Sequence, residues 1–382
     1  MLIAHIINPA IVDKSSDLKI AQPITFETMK MAKAKAKGDL EVDQYAAVFK
    51  EDENIVPSYI KKTKYLERSI LDISNFKIKR KLPLIADILD NLYTISDADY
   101  FIYTNADIAL KPDFYNEVQK FIAKGYDAFV INRRTISDKY TSVKEIPKMF
   151  NESGEPHPGY DCFIFSRKNY KKFILGDACV GANWVGRVII SNVMAFAENF
   201  KVFEDLHLTF HIGDARNWKK EKFLDYDRHN EKELLDILNH LLQNYNVNNR
   251  EKLFEFYKYH LNSHYISENN NNGNNAQYRI EEDIVKLNSP SVKLKVPAQK
   301  VYHNDFRPDG AWQKYKQQIL RQDPVFVIGF PRSGTTLVQS LLATQKDVAT
   351  LHETHFFSAI SQEIQTEEEK INIENLDPLI LN

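Results

Sequence analysis

The stretch that most constrains the fold of this chain lies near its C-terminal end. An apolar run at 325–328 leads into a loop framed by Gly329 and Gly334, and leucine and valine then recur at helical spacing. This pattern predicts a strand, a loop and a helix, an arrangement whose backbone N–H groups suit a phosphate. The glycine spacing is that of a Walker A loop, but Thr335 replaces its lysine and Arg332 supplies a cation inside the loop. The loop therefore predicts a phosphorylated ligand different from that of nucleoside-triphosphate kinases and ATPases.

The same loop resembles a motif of a known enzyme family. The string Gly-Phe-Pro-Arg-Ser-Gly-Thr-Thr at 329–336 resembles the 5′-phosphosulfate loop of sulfotransferases, which use 3′-phosphoadenosine-5′-phosphosulfate (PAPS). The resemblance implies that the residues binding PAPS are Arg332, Ser333, Gly334, Thr335 and Thr336, with Arg332 also catalytic. Residues 351–357 resemble the segment where tyrosylprotein-type members carry a catalytic glutamate, and Glu353 falls at that place. Glu353 would then accept the proton of the acceptor hydroxyl, without a metal.

The sulfotransferase resemblance covers about residues 323–360 and is incomplete. The serine and arginine positions that bind the 3′-phosphate in this family have no match further along the chain. A strand, a loop and a helix alone bury too little surface to be stable. We therefore expect residues 323–382 to be the truncated, N-terminal part of a P-loop sulfotransferase domain. A generic P-loop with a chance substitution is the alternative.

Composition narrows the remaining possibilities. The 382 residues suggest two or three domains, and 43% hydrophobic residues exclude wholesale disorder. A net charge of −2 and a pI of 6.6 give no reason to expect nucleic acid as a partner. The two cysteines, Cys162 and Cys179, lack ligand-like spacing, and no apolar run approaches the ~20 residues of a membrane span. We expect a cytoplasmic protein that binds no nucleic acid and has no membrane span.

The N-terminal part of the chain alternates between two apolar patterns. Short apolar runs predict strands at 3–7, 42–49, 69–73, 100–104 and 128–134, and helical spacing predicts helices at 25–37 and 84–93. Such alternation is typical of an α/β domain with a mostly parallel sheet. Ligands of open sheets of this kind bind at the carboxyl ends of the strands.

Two polar residues stand at one such strand end. Asn105 and Asp107 directly follow the apolar run at 100–104. Oxygen-bearing side chains two positions apart on a turn can hold a divalent cation, and hard oxygen ligands suit Mg²⁺ or Mn²⁺ carrying a diphosphate. The alternative is that both side chains merely cap a turn.

This arrangement resembles the metal-binding Asp-x-Asp of GT-A-fold glycosyltransferases, with Asn105 in place of the first aspartate. The resemblance implies a GT-A-like domain that uses a nucleotide sugar, a UDP-sugar for example, together with Mn²⁺ or Mg²⁺. Its acceptor would be a glycan or another hydroxyl-bearing molecule. GT-A enzymes often take a third metal ligand from a C-terminal histidine, and His211 is our candidate. Their segment equivalent to 157–165 contributes acceptor contacts, which makes Asp161 a candidate catalytic base.

The segment around His211 carries further reactive side chains. Because side chains alternate along a strand, a strand at 206–212 would place His207, Thr209 and His211 on one face. Glu204, Asp205 and Asp214 are other possible bases, and Arg216 could neutralise a diphosphate leaving group. A purely structural histidine and ordinary salt bridges are the alternatives.

The predicted domain order follows from composition. Helical patterns at 225–243 and 251–259 suggest a helical cover, and the asparagine-rich run at 268–275 is typical of a flexible linker. We predict a GT-A-like domain at 1–262, a linker at 263–322 and the incomplete sulfotransferase segment at 323–382.

Three functions compete at this point. The first is a glycosyltransferase fused to a PAPS-dependent sulfotransferase, and the sequence does not decide between inversion and retention. The second is a sulfotransferase whose N-terminal domain is a non-catalytic module that binds a glycan or a partner. The third is a nucleotide kinase, which the missing P-loop lysine argues against.

Overall fold

The computed structural model of the chain describes residues 1–214 and 221–268. The chain divides into two compact units, 1–289 and 290–382, and all described residues belong to the first unit. The loop at 329–336, Glu353 and Arg216 lie outside the described residues. The boundaries predicted at 262 and 322 stay a prediction.

The described chain forms eleven strands and eight α-helices. The strands are β1 (Leu2–Ile7), β2 (Glu41–Ala46), β3 (Lys61–Lys62), β4 (Tyr100–Thr104), β5 (Ala109–Leu110), β6 (Ala128–Ile131), β7 (Arg134–Ile136), β8 (Glu155–Pro156), β9 (Cys162–Ser166), β10 (Phe200–Phe203) and β11 (Thr209–Ile212). The helices are α1 (Leu18–Ala34), α2 (Ile85–Ile95), α3 (Phe114–Ala123), α4 (Ile146–Asn151), α5 (Arg167–Tyr170), α6 (Val185–Phe196), α7 (Leu224–Asn244) and α8 (Arg250–Glu268).

The larger sheet has seven strands in the order β10-β6-β9-β4-β1-β2-β3. β9 runs antiparallel to both of its neighbours, and the other pairs are parallel. The central strands are buried almost throughout, which is why they read as short apolar runs. The structure confirms the predicted α/β fold class with a mostly parallel sheet.

The strand order changes direction between β1 and β4. From β1 the chain moves outward to β2 and β3, and it then returns through α2 to β4 on the other side of β1. At such a switch point a crevice opens outside the carboxyl ends of the strands. The antiparallel β9 begins at this same edge, because Cys162 lies opposite Thr104 and Ile131. The segment that leads into β9 therefore lies next to the carboxyl ends of both β4 and β6.

A buried histidine fixes the two strands at the switch point. His5 on β1 lies 2.9 Å from the Thr104 hydroxyl on β4 and 2.8 Å from the Tyr115 hydroxyl on α3. Burial lowers the pKa of His5 to about 3, so its ring is neutral. The neutral ring can donate from one nitrogen and accept at the other, which satisfies both contacts.

The second sheet has four strands in the order β5-β11-β7-β8. Its strands β5 and β7 follow shortly after the carboxyl ends of β4 and β6, so it is attached to that edge of the larger sheet. Phe210 on β11 is fully buried and anchors a small core shared with α1 and α4. Phe210 also pairs with Ala109 and Arg134 across the sheet, which sets the position of β11.

Two local predictions of secondary structure are wrong. The stretch predicted as a strand at 69–73 contains a 3₁₀ turn, Ile70–Asp72. The Ser69 hydroxyl caps this turn while the Asp72 carboxylate accepts from the Ser69 backbone at 2.7 Å, and such a capping box favours a helical start. Helix α1 begins at Leu18 instead of residue 25, capped by Asp17, with Pro23 inside it.

The predicted helical cover is present and contributes to a loop of the larger domain. Asn230 on α7 is fully buried. Its side-chain carbonyl accepts from the Cys179 N–H at 2.8 Å, and its amide donates to the carbonyls of Cys179 and Asn183, each at 2.8 Å. Three hydrogen bonds from one side chain thus hold the loop that leads into α6.

We predict that Asn230→Leu lowers the free energy of unfolding by about 3 kcal/mol, because it leaves two buried backbone groups and one partly buried backbone carbonyl without their side-chain partner. Urea denaturation followed by circular dichroism measures the change. Asn244→Leu, at the exposed end of the same helix, is the control and is expected to change stability by less than about 1 kcal/mol. Equal effects of the two substitutions would contradict the role assigned to Asn230.

Candidate active site

Two of the three predicted metal ligands meet at the edge of the larger sheet. Asp107 lies in the turn after β4 and His211 lies on β11, 104 positions later. The Nε2 atom of His211 is 3.2 Å from Oδ2 of Asp107. The attachment of β11 to β5 and β7 brings the two side chains together.

The hydrogen bonding of His211 leaves an electron pair facing Asp107. Its Nδ1 lies 2.7 Å from the carbonyl oxygen of Gly213, which is an acceptor, so Nδ1 carries the proton. In the neutral ring, Nε2 is then an acceptor as well, and it faces a carboxylate. Two acceptors at this distance require a cation between them, either a second proton on the ring or a metal ion.

The pKa values of His211 and Asp107 are both shifted in the direction that favours an ion pair between them. Burial acts to lower the pKa of His211, but the hydrogen bond and charge of Asp107 outweigh burial and raise it. Burial likewise acts to raise the pKa of Asp107, but the hydrogen bond and charge of His211, assisted by Arg133, lower it. A proton therefore occupies the position between the two side chains over a wider pH range than usual.

The Asp107 carboxylate keeps one oxygen for a further ligand. Its Oδ1 is buried and has no hydrogen-bond partner among the described residues. A carboxylate oxygen and an imidazole nitrogen are ligands that Mn²⁺ accepts, and the carboxylate also suits Mg²⁺. The residues present therefore fit a divalent cation.

Asn105, the third predicted ligand, has another contact. Its Oδ1 accepts a hydrogen bond from the Tyr103 hydroxyl at 3.0 Å. Within residues 1–214 and 221–268, no group of three or more His, Cys, Asp or Glu side chains is arranged to hold a metal ion. The metal set of Asn105, Asp107 and His211 thus stays a proposal.

A buried arginine that the sequence analysis overlooked lies at the centre of the site. Arg133 follows β6 and is 7% exposed. Its Nε lies 3.5 Å from Oδ1 of Asp161, and its Nη2 lies 3.6 Å from Oδ1 of Asp214. Nε has no hydrogen-bond partner in the described part of the chain, so the contact with Asp161 is one of charge alone. One signal for Arg133 was available, namely its position. Arg133 follows a strand that ends at the same edge of the sheet as the strand before Asn105.

Asp161, the predicted base, lies between Arg133 and a histidine. Its Oδ2 is 3.2 Å from Nδ1 of His157, which also accepts a hydrogen bond from the Gly159 N–H at 3.0 Å. A Cβ atom at Gly159 would come within 2.5 Å of the His157 ring, so a larger residue here would have to displace that ring. The Asp161 side chain is 13% exposed, and the His157 side chain is 18% exposed. Both groups are therefore shielded without being sealed from solvent.

Three carboxylates lie near the guanidinium of Arg133. Those of Asp161 and Asp214 are within ion-pair distance of it, and the charge of Arg133 also acts on Asp107. Arg133 thus links the Asp107–His211 pair to the candidate base Asp161.

The prediction that His207, Thr209 and His211 share one face of a strand is wrong. β11 begins only at Thr209, and His207 before it has a φ of 51°, a left-handed conformation that ends the extended backbone. His207 Nε2 contacts the carbonyl of Glu152 at 3.1 Å, outside the site. Thr209 and His211 share a face, as period two predicts.

Asp205, another possible base, is also engaged elsewhere. Its carboxylate pairs with Arg134, and its side chain is 64% exposed. Asp214, in contrast, lies within ion-pair distance of Arg133 and so belongs to the site.

The C-terminal segment matches a known family. Residues 324–378 match the sequence model of the sulfotransferase family. The match confirms the resemblance inferred from the loop at 329–336. No curated protein sequence matches the chain.

Several solved structures are similar to the chain over a larger part of its length. The structure of TarS from S. aureus has a TM-score of 0.44 and 8% identity, and it covers 76% of this chain and 50% of TarS. The chain thus matches half of the length of TarS. Residues 1–349 of TarS in complex with UDP have a TM-score of 0.41 and 9% identity, covering 75% of this chain and 81% of that one.

A third structure is a smaller protein. The 4-diphosphocytidyl-2C-methyl-D-erythritol synthase from Anaerococcus prevotii DSM 20548 has a TM-score of 0.29 and 13% identity. It covers 60% of this chain and 97% of that protein. Separately, no α-helix in the described ranges has the length and apolar character needed to cross a membrane.

We predict that the effect of Asp107→Asn on the free energy of unfolding changes sign between acidic and alkaline pH. EDTA is present throughout to remove metal ions. The native ion pair is fully present between pH 3.8 and 6.5, the ordinary pKa values of the two groups, and it is lost as pH rises through the raised pKa of His211. Above that pKa the native protein holds two facing acceptors, whereas the asparagine amide can donate to Nε2.

The variant should therefore be less stable than the native protein at about pH 5.5, by about 1–2 kcal/mol, and more stable at about pH 9. Urea denaturation at the two pH values measures both differences. Asp205→Asn is the control, because the partner of Asp205 is the guanidinium of Arg134 and not an imidazole, so its effect should be the same at both pH values. A difference of constant sign for Asp107→Asn would show that His211 and Asp107 do not titrate as a pair.

Proposed function

We propose that the N-terminal domain transfers a sugar from a nucleotide sugar to a hydroxyl group, and that the C-terminal segment belongs to a PAPS-dependent sulfotransferase. The observation that carries the first part is the contact between His211 Nε2 and Asp107 Oδ2 at the switch point of the sheet. It supports a cation site in the place where ligands of open α/β sheets bind. The family match at 324–378 supports the second part.

Asp107 and His211, with Asn105, are the residues that would hold Mn²⁺ or Mg²⁺. The ion would supply a Lewis acid that stabilises the departing diphosphate of the donor. The residues of the chain prepare this site for the ion. Gly213 fixes the tautomer of His211, and the unpartnered Oδ1 of Asp107 remains available to a ligand.

Asp161 is proposed as the base that accepts the proton of the acceptor hydroxyl, if the anomeric centre inverts. In that step the acceptor oxygen bonds to the anomeric carbon, the bond from that carbon to the diphosphate breaks, and the hydroxyl proton moves to Asp161. Arg133 holds the Asp161 carboxylate in place through charge, and His157 lies on its other side.

In the sulfotransferase segment, Arg332 and the backbone of residues 333–336 are proposed to hold the 5′-phosphosulfate. Sulfuryl transfer then resembles phosphoryl transfer, in which positioning and charge stabilisation provide most of the catalysis. Glu353 is proposed to take the proton from the acceptor hydroxyl. A cytoplasmic location also stays a prediction.

One observation favours a second function for the N-terminal domain. Asn105 replaces an aspartate of the resembled motif, and its oxygen is engaged by Tyr103. A domain with a weakened metal site could bind a glycan or a partner for the sulfotransferase without catalysis. Binding of the nucleotide part of the sugar donor distinguishes a glycosyltransferase domain from a non-catalytic module.

We predict that the full chain binds UDP in the presence of Mn²⁺ and that Asp107→Ala weakens this binding at least about tenfold, because it removes a metal ligand. Isothermal titration calorimetry with and without EDTA measures the affinity. Asp205→Ala, which removes a carboxylate outside the site, is the control and should bind UDP as the native chain does. If UDP binds equally well with EDTA and in the Asp107→Ala variant, the proposed site is excluded and the non-catalytic module is favoured.

If the loop at 329–336 holds 3′-phosphoadenosine-5′-phosphate, the product form of PAPS, we predict that Arg332→Ala weakens this binding by about tenfold, because a charge-assisted contact is lost. Absence of binding would support the truncation expected from the missing 3′-phosphate positions. Calorimetry with ATP as a comparison ligand tests the assignment of the loop. Tighter binding of ATP than of the PAPS product would contradict the sulfotransferase assignment and return the kinase alternative.

A further inference from the structure

A second group of polar and aromatic side chains lies at the start of α6, separate from the Asp107–His211 pair. Arg187 is in the first turn of that helix and is partly buried. Its guanidinium carbon lies 4.7 Å from the centre of the Trp184 ring. Among the described residues, the ionisable groups that act on the pKa of Arg187 are the phenols of Tyr160 and Tyr259, and no carboxylate is among them. A partly buried arginine normally has a carboxylate or another anion as a partner.

A fully buried histidine beside this arginine also lacks partners. His260 on α8 is 1% exposed, and neither of its ring nitrogens has a hydrogen-bond partner in the ranges that the structure describes. Its ring stands edge-on to Trp184 with 5.4 Å between the ring centres. Burial and the charge of Arg187 lower the pKa of His260, so the ring is neutral and offers one donor and one acceptor. Buried polar groups in folded proteins normally have a hydrogen-bond partner, so His260 calls for one, such as an ion, a water molecule or a ligand.

The packing of α6 connects these side chains to the candidate base. A Cβ atom at Gly186 would lie 3.0 Å from the carbonyl oxygen of Tyr160, so the start of the helix contacts the residue before Asp161. Tyr160 and Tyr259 both interact electrostatically with Arg187. The arginine, the imidazole and two phenol groups thus gather beside the acceptor segment.

We propose that this group, the α6 cluster (Tyr160, Trp184, Arg187, Tyr259 and His260), binds an oxyanion carried by the sugar acceptor. The planar guanidinium matches a phosphate or carboxylate with two parallel hydrogen bonds. The aromatic rings offer apolar faces to a sugar ring, and their polar ends can hydrogen-bond to its hydroxyls. The acceptor would then be an anionic sugar, a phosphate ester or a uronic acid. This inference rests on the proposed function, because Asp161 is the base that would meet the acceptor hydroxyl.

The test is calorimetry on the full chain in the presence of UDP and Mn²⁺, with glucose, glucose 6-phosphate and glucuronate as probes. We expect one or both anionic sugars to bind at least about tenfold more tightly than glucose. Arg187→Gln is expected to abolish this preference, and Arg187→Lys, which keeps the charge and loses the planar fork, to retain part of it. His260→Leu should weaken the binding of the preferred sugar.

Arg80→Gln is the matched control. Arg80 is also partly buried against aromatic rings, 4.5 Å from the centre of the Phe223 ring, but its guanidinium donates to the Gly181 carbonyl at 3.2 Å and the charge of Asp227 acts on it. It lies outside the α6 cluster, so its substitution should leave the preference for anionic sugars unchanged. Thermal unfolding of each variant checks that it folds, and Arg187→Lys serves in place of Arg187→Gln if the latter does not.

Three results would overturn the inference. The first is equal binding of glucose and its anionic derivatives, including no binding of any. The second is an anion preference that survives Arg187→Gln. The third is a loss of UDP affinity in Arg187→Gln as large as that in Asp107→Ala, which would place Arg187 at the donor. UDP binding that depends on Asp107 without any anion preference leaves the proposed function intact, and an Arg187-dependent anion preference without UDP binding contradicts only the proposed function.

Discussion

The site depends on a contact between two hydrogen-bond acceptors. Because His211 donates from Nδ1 to the Gly213 carbonyl, its Nε2 presents an electron pair to the Asp107 carboxylate. Such a contact is unfavourable unless positive charge lies within it. A proton on the ring supplies that charge when the two groups form an ion pair. Under the proposed function, a metal ion would compete with this proton for one position.

The topology explains why these side chains meet. Two parallel strands, β4 and β6, end at one edge of the sheet, and the reversed strand β9 begins there. The four-stranded sheet then brings β11 to the same place. Asp107, Arg133, Asp161 and His211 come from four different strand ends, so no short segment of the sequence contains the site. Rigid strands fix the positions of all four, whereas a single loop would fix them less well.

Local patterns made part of this molecule predictable. The buried strands β1, β4 and β6 are short apolar runs, and the position of Asp107 follows from its place after one of them. Arg133 could not be recognised in the same way, because its partners Asp161 and Asp214 are distant in sequence. The errors at 69–73 and at His207 have a local cause: a capping box and a left-handed residue overrode strand-like composition. The sulfotransferase loop was recognised from a contiguous string, which requires no tertiary contact.

The three hydrogen bonds of Asn230 have a consequence for where this protein can be divided. They tie α7 to the loop before α6, and His260 adds a side chain from α8 to the same region. The helices that follow the sheet therefore support the start of α6 and are not a detachable cover. An engineered exchange of domains that cut before α7 would leave the loop at 179–183 without the side chain that holds its backbone. A cut placed after α8 would keep this support.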